Sequence, residues 1–296
     1  MTLKTNTIYL AFSDESRHNI NRYRSIAVLS LPSSEYDSLS MDFATLLRES
    51  GIHELKWKNL SSARVRFAAE KTVDLIRARA LIGKIRIDIL TWDIKDRRHL
   101  IMGRDDRANL QRMYFHLFNN IIQRRWGHSC DWRLYPDQQS LVNWDEMKEY
   151  LESRIGWVHI AEDGKWNDPS KIRQAWMVER IREVNSLDCN LVQIPDLFAG
   201  LGSFSWTQYP KFKEWERLNR GQMTLFPQTS DICLSNSDRE RCNVLHRLYS
   251  TCNDCGLTMS INHKKGLWTP NPGTPINFWF YESRFVGDTA PTKENQ

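Results

Sequence analysis

Residues 7–16, Thr-Ile-Tyr-Leu-Ala-Phe-Ser-Asp-Glu-Ser, restrict the fold more than any other stretch of this chain. Its β-branched and aromatic side chains alternate with smaller ones, which is the period of a strand. Ile8, Leu10, Phe12 and Asp14 then share one face, and Tyr9, Ala11, Ser13 and Glu15 the other. An apolar strand that ends in two acids has to offer them something cationic, because an unpaired buried charge costs several kcal/mol. A metal ion, a Lys or an Arg each meets that demand. The partners of Asp14 and Glu15 elsewhere in the chain therefore decide its chemistry.

Downstream periodicity alternates between strands and helices. Residues 25–31 read as a second strand, antiparallel to the first across a polar turn. Tyr36, Leu39, Phe43, Leu46 and Leu47 recur at helical spacing, as do Val65, Ala68, Ala69, Thr72 and Ile76 after Ser61. Residues 84–91 set Ile85, Ile87 and Ile89 against charged neighbours, the pattern of a half-buried strand near a sheet edge. A helix is predicted over residues 105–123, a strand over 132–136 that delivers Asp137, a helix over 144–154, a loop over 156–169 and a strand over 175–184. Pro195 suits the first turn of a further helix, where its missing N–H is harmless. Asp196 then sits at the positive end of the helix dipole. Residues 210–231 look irregular and polar, 238–252 helical, and 257–262 and 276–282 like the two arms of a β-hairpin.

The expected architecture is α/β: a central mixed sheet flanked by helices over residues 1–208, a helix and β-hairpin extension packed on that core over 209–285, and a flexible tail over 286–296. With 41% hydrophobic residues the chain can fill such a core. No apolar run approaches the ~20 residues that cross a bilayer, and the N-terminus lacks an export-signal pattern, so a cytoplasmic protein without membrane contact is expected. A net charge of +5 leans toward a polyanionic partner.

Asp14, Glu54, Asp137 and Asp196 are distant in sequence, yet three of them fall at strand ends or a helix start. Carboxylates that converge in this way hold hard divalent cations such as Mg²⁺ or Mn²⁺. With two ions about 4 Å apart, one activates a water and the other stabilises the leaving oxygen of a phosphodiester. If residues 54–58 are extended, Glu54, Lys56 and Lys58 face one side, suited to a cation and a phosphate together. Arg98 and Arg104, in the basic loop before the 105–123 helix, are candidate phosphate contacts. A different metal is suggested by Cys242, His246, Cys252 and Cys255, whose C-x3-H-x5-C-x2-C spacing is compatible with structural zinc. The simpler reading packs these cysteines as small hydrophobes.

The motifs Phe12-Ser13-Asp14-Glu15-Ser16, Glu54-Leu55-Lys56, a strand ending in Asp137, and Gln193-Ile194-Pro195-Asp196-Leu197-Phe198-Ala199-Gly200 together resemble the bacterial family known as domain of unknown function 3800. That family is similar to the ribonuclease H superfamily in fold and in its acids. The resemblance implies a ribonuclease H-like core and a metal-dependent nuclease site with Asp14, Glu54, Asp137 and Asp196 as ligands and Glu15 as a fifth acid. It also implies that Lys56 neutralises a phosphate or orients an acid, that Gln193 supports the site, and that the protein works on DNA or RNA with a protein partner in phage defence or a mobile element. Three positions depart from the family pattern: Arg17 replaces a common Gly, Pro195 a common Ala, and Gln138-Gln139 a basic pair. The alternative expectation is a non-catalytic nucleic-acid-binding or regulatory subunit with the same fold.

Overall fold

The computed structural model describes residues 7–16, 22–95, 105–126, 130–138, 141–153, 176–219 and 233–282. β1 (Thr7–Glu15) lies inside a six-stranded sheet, antiparallel to β2 (Tyr23–Pro32) on one side and parallel to β4 (Cys130–Pro136) on the other. β3 (Arg86–Asp93) runs antiparallel to β2, and β5 (Trp176–Ile181) parallel to β4. β8 (Ile276–Phe280) completes the order β5-β4-β1-β2-β3-β8 by pairing parallel with β3. The protein is thus a mixed α/β fold with a central mixed sheet.

Strand alternation sorts the core into two layers. One buries Leu10, Phe12, Leu29 and Ile89 against α1 (Tyr36–Glu49), α2 (Ala63–Leu81) and α5 (Gln193–Thr207), with α6 (Tyr209–Asn219) and α7 (Asn236–Asp254) outside them. The other buries Ala11, Val28, Leu90, Trp132 and Leu134 under α3 (Asp106–Arg124) and α4 (Trp144–Ser153). Asp105 caps α3 by accepting from the Ala108 N–H, so the acid that opens the predicted 105–123 helix starts it. Each fully buried Phe or Leu contributes about 1.5–3 kcal/mol by leaving water, so these two layers carry most of the stability.

α5 lies across β1, β2 and β3. Its small residues allow this: a Cβ on Gly202 would stand 2.9 Å from Ile89 Cγ2 and from Ser25 Oγ. Gly200 serves a different neighbour, since a Cβ there would fall 2.2 Å from the Trp57 ring. One glycine seats the helix on the sheet and the other seats the Trp57 turn on the helix.

Three expectations need correction. β3 is an interior strand, buried along its whole length between β2 and β8, because its charged residues Arg86 and Asp88 answer each other instead of facing water. The hairpin predicted from residues 257–262 and 276–282 does not form. Its first arm instead gives β6 (Ser260–Asn262), which pairs with β7 (Gly266–Trp268), while the second joins the main sheet as β8. Residues 209–219 are helical, with Phe212 and Trp215 buried one turn apart. The predicted 156–169 loop, the 286–296 tail and the rest of the 210–231 segment lie outside the described residues. Among the described residues no helix is long and apolar enough to cross a membrane.

Candidate functional site

Parallel pairing of β1 with β4 sets Ser13 opposite Pro136, and the Asp137 N–H donates to the Ser13 carbonyl at 2.8 Å. Asp14 and Asp137 therefore leave adjacent strand ends on the same face. Asp137 also bridges to Val184 beyond β5, which pins the third strand to the same edge. α5 brings Asp196 over this edge from the side of the sheet that it covers, and the Ser16 and Ser203 hydroxyls, 2.9 Å apart, fasten the end of β1 to that helix.

Glu54 and Lys56 come from the segment between α1 and α2, which turns in a short 3₁₀ helix at Trp57–Asn59. Lys56 Nζ stands 3.0 Å from Glu54 Oε1, and the Ser186 hydroxyl donates to that same oxygen at 2.5 Å. The Trp57 N–H donates to Asp196 Oδ2 at 2.6 Å. Gln193 ties the segment to the site: its Oε1 accepts from the Leu55 N–H at 2.8 Å, and its Nε2 donates to the Ser186 carbonyl at 2.7 Å. A single buried amide thus sets the distance between two loops. Ser186 carries no local pattern that distinguishes it in the sequence, and its role follows from the tertiary contact alone.

The electrostatics register this convergence. Burial holds the Asp14 carboxyl well above the usual range, reinforced by the charges of Asp196, Glu15 and Asp137. Burial likewise pushes Asp196 up to about 6, against the Trp57 N–H and Lys56, with Asp137 and Glu54 adding to the rise. For Glu54, burial acts upward too, but the Ser186 hydroxyl and the Lys56 ammonium outweigh it and hold the carboxyl below its ordinary value. Burial pulls on Lys56 in the opposite sense, and Glu54, Asp137 and Asp196 more than compensate, so its ammonium is held charged. Glu54, Asp137 and Asp196 all act on Lys56, and Lys58 adds its charge at Glu54.

Glu15 adds its charge to this group through Asp14, but its side chain turns away from it. Alternation turns it to the opposite face of the sheet, where Oε2 accepts from the buried Tyr114 hydroxyl at 2.6 Å. Lys58 is exposed, in the turn beside Lys56. Arg98 and Arg104 lie outside the described residues. The proposed zinc ligands are separated by their own helix: Cys242 and Cys252 both belong to α7, ten residues and therefore roughly 15 Å apart, too far to share one ion. Both thiols are buried and pushed up to about 12 by that burial, away from the thiolate that zinc needs.

The all-oxygen donor set suits a hard divalent cation, and an excess of buried negative charge is what such an ion would relieve. Among the described residues, however, no three His, Cys, Asp or Glu side chains stand close enough to hold a metal ion as they are placed. Ser186 and Lys56 engage Glu54, and the Trp57 N–H engages Asp196, so taking up an ion requires these carboxylates to turn toward one another.

Fold and site together define a mixed α/β protein that carries a carboxylate cluster where two parallel strands end. The chain is 38% identical over 299 residues to the uncharacterized protein ORF2 of Methanothermobacter thermautotrophicus, across 98% of this chain and 100% of that protein. It is 36% identical, over the same extent, to the uncharacterized protein ORF2′ of the same organism. The chain belongs to the family of these ORF2 proteins. No protein-family model matches it.

Proposed function

We propose that this chain is a metal-dependent nuclease of the ribonuclease H-like class, hydrolysing phosphodiesters of DNA or RNA, in a phage-defence or mobile-element setting with a protein partner. The observation that carries this reading is the convergence of Asp14, Asp137 and Asp196 at one sheet edge, where burial and neighbouring acids raise the Asp14 and Asp196 carboxyls. Perturbed acids gathered at one edge mark functional sites more often than structural ones. The likeness to domain of unknown function 3800 rests on the motifs around Asp14, Glu54, Asp137 and Asp196.

Asp14, Asp137, Asp196 and Glu54 would hold Mg²⁺ or Mn²⁺, which supplies Lewis-acid activation of water and charge neutralisation at phosphate. In this arrangement Lys56 keeps Glu54 ionised and gives an incoming phosphate a cation. Gln193 holds the Leu55 backbone, and with it the segment that carries Glu54 and Lys56, in place while the carboxylates turn toward one another. The test is cleavage of labelled single- and double-stranded DNA, RNA and hybrids with Mg²⁺, Mn²⁺ or chelator. Metal-dependent cutting by the wild type that Asp14→Ala loses supports the reading, and cutting that persists in chelator and in the variant overturns it.

One observation favours a second reading. Lys56 already sits where a cation would otherwise meet Glu54, as expected of a nucleic-acid-binding or regulatory subunit that keeps the fold without the reaction. Such a subunit binds nucleic acid in a salt-sensitive way, indifferent to Asp137 and weakened by Arg98→Ala and Arg104→Ala.

A further inference from the structure

Beside the acids, on the same face of the sheet, lies a cavity of about 750 Å³, within the range that binds small molecules. Its floor is aromatic. Phe12 and Tyr135 come from the strands that carry Asp14 and Asp137, and Tyr36 leans in from α1. The Tyr36 and Tyr135 rings lie 5.9 and 5.3 Å from the Phe12 ring, at interplanar angles of 18° and 16°. Three nearly parallel rings make a preset shelf.

Its wall is basic. A register shift between β4 and β5 places Arg133, Arg180 and Arg182 along the cavity. Arg133 is held by Glu179 at 2.5 Å, and Arg180 donates to the Tyr135 hydroxyl at 2.7 Å. Arg182 is exposed and makes no side-chain ion pair among the described residues. The remaining rim adjoins the acids: Val184 lines the cavity and bridges Asp137, and Asn185 precedes the Ser186 that bonds Glu54. Tyr135 and Asp137 are two strand residues apart, roughly 6.6 Å.

We propose that this cavity is a nucleotide subsite, in which the aromatic shelf stacks a base while Arg180 and Arg182 take the adjoining phosphate. Arg suits this wall because its planar fork binds phosphate oxygens in pairs and stacks on rings. Stacking on Tyr36 and Tyr135 accepts any base, so the subsite selects an unpaired nucleotide and not a sequence. The inference deepens the phosphodiester reading and rests on it in assigning a nucleic-acid strand as the source of that nucleotide. A free nucleoside monophosphate offers the same chemistry.

The experiment is equilibrium binding in chelator, with a labelled single-stranded tetranucleotide by anisotropy and with nucleoside monophosphates by calorimetry. Arg182→Ala and Tyr36→Leu each weaken binding by about tenfold. Arg182→Lys recovers part of the loss, and thermal melts show all variants folded. Tight binding of the tetranucleotide alone identifies a strand, and equal binding of the monophosphate identifies a free nucleotide. Absence of binding to either, or wild-type affinity in both Arg182→Ala and Tyr36→Leu, overturns the subsite. Binding without metal-dependent cleavage leaves the subsite standing and removes the nuclease, whereas cleavage with unchanged affinity in both variants does the reverse.

Discussion

Two groups of buried charge lie on opposite faces of the same sheet. Under α3, Asp88 has a side chain only 2% exposed and is answered by Arg86 at 3.4 Å, by Arg125 at 3.8 Å and by the Asn277 amide at 2.9 Å. Arg86 is itself spread over the carbonyls of Gly273 and Thr274, at 2.9 and 2.8 Å. One carboxylate there has two guanidiniums, and the group knits β3, β8 and the end of α3. At the other face Lys56 answers Glu54, Asp137 and Asp196, while the charges of Asp196, Glu15 and Asp137 bear on Asp14. A charge group that holds a fold together is balanced from within. One that is left unbalanced raises its own carboxyl pKa values and invites a ligand to complete it.

The contrast is broken most sharply by activity. Asp14→Ala and Asp196→Asn should each lower metal-dependent cleavage by about four orders of magnitude, equivalent to ~5 kcal/mol of transition-state stabilisation, with circular dichroism unchanged. Asp88→Ala should do the opposite. By stranding two buried guanidiniums it should cost about 3–5 kcal/mol in urea denaturation, while any cleavage by the residual folded protein keeps its wild-type rate.

A smaller effect has the reverse sign. Asp196 is protonated in the native state up to about pH 6, whereas the unfolded chain releases that proton near the ordinary carboxylate value of 3.8. Between those values the native state binds more protons, so wild-type stability falls as pH rises through the window, and Asp14 extends the fall upward. Asp196→Asn should therefore stabilise the metal-free protein by about 1–3 kcal/mol at pH 7 and by almost nothing at pH 4, read from denaturation midpoints at the two pH values, and Asp14→Asn should shift stability in the same direction. If these variants destabilise as Asp88→Ala does, the two regions do not differ in kind. The smallest shift comes from the ion itself: at ten times its dissociation constant, Mg²⁺ or Mn²⁺ should add about 1.4 kcal/mol, roughly 2–4 °C in the melting temperature of wild type and none in Asp14→Asn.

Periodicity made β1, β2 and their pairing legible, along with α1, α2, α3 and the entry of α5 at Pro195, because each shows its buried face within a dozen residues. The acids at strand ends were legible for the same reason: Asp14 and Asp137 stop apolar runs. What failed was whatever depends on a distant partner. Arg86 and Asp88 look solvated in isolation, and only Arg125 and Asn277, from α3's end and β8, make them interior residues. Glu15 sits beside Asp14 in sequence, yet one step along a strand turns it to the other face and to Tyr114. The Gln193 bridge joins residues 138 apart, which no local window contains.

The pairing of β8 with β3 has a consequence for how the protein is made. β3 ends at Asp93 and its parallel partner begins at Ile276, so the 182 residues from 94 to 275 must be translated between them. At a synthesis rate of ~5–20 residues per second, that interval is roughly 10–40 s. Throughout it a nascent chain that has built β1, β2 and β3 presents one long apolar edge with unsatisfied amides, the kind of template on which other chains add strands. Chaperone dependence during expression should accordingly fall on this interval, and slowing translation before residue 276 should lower the soluble yield without altering the protein that finally folds.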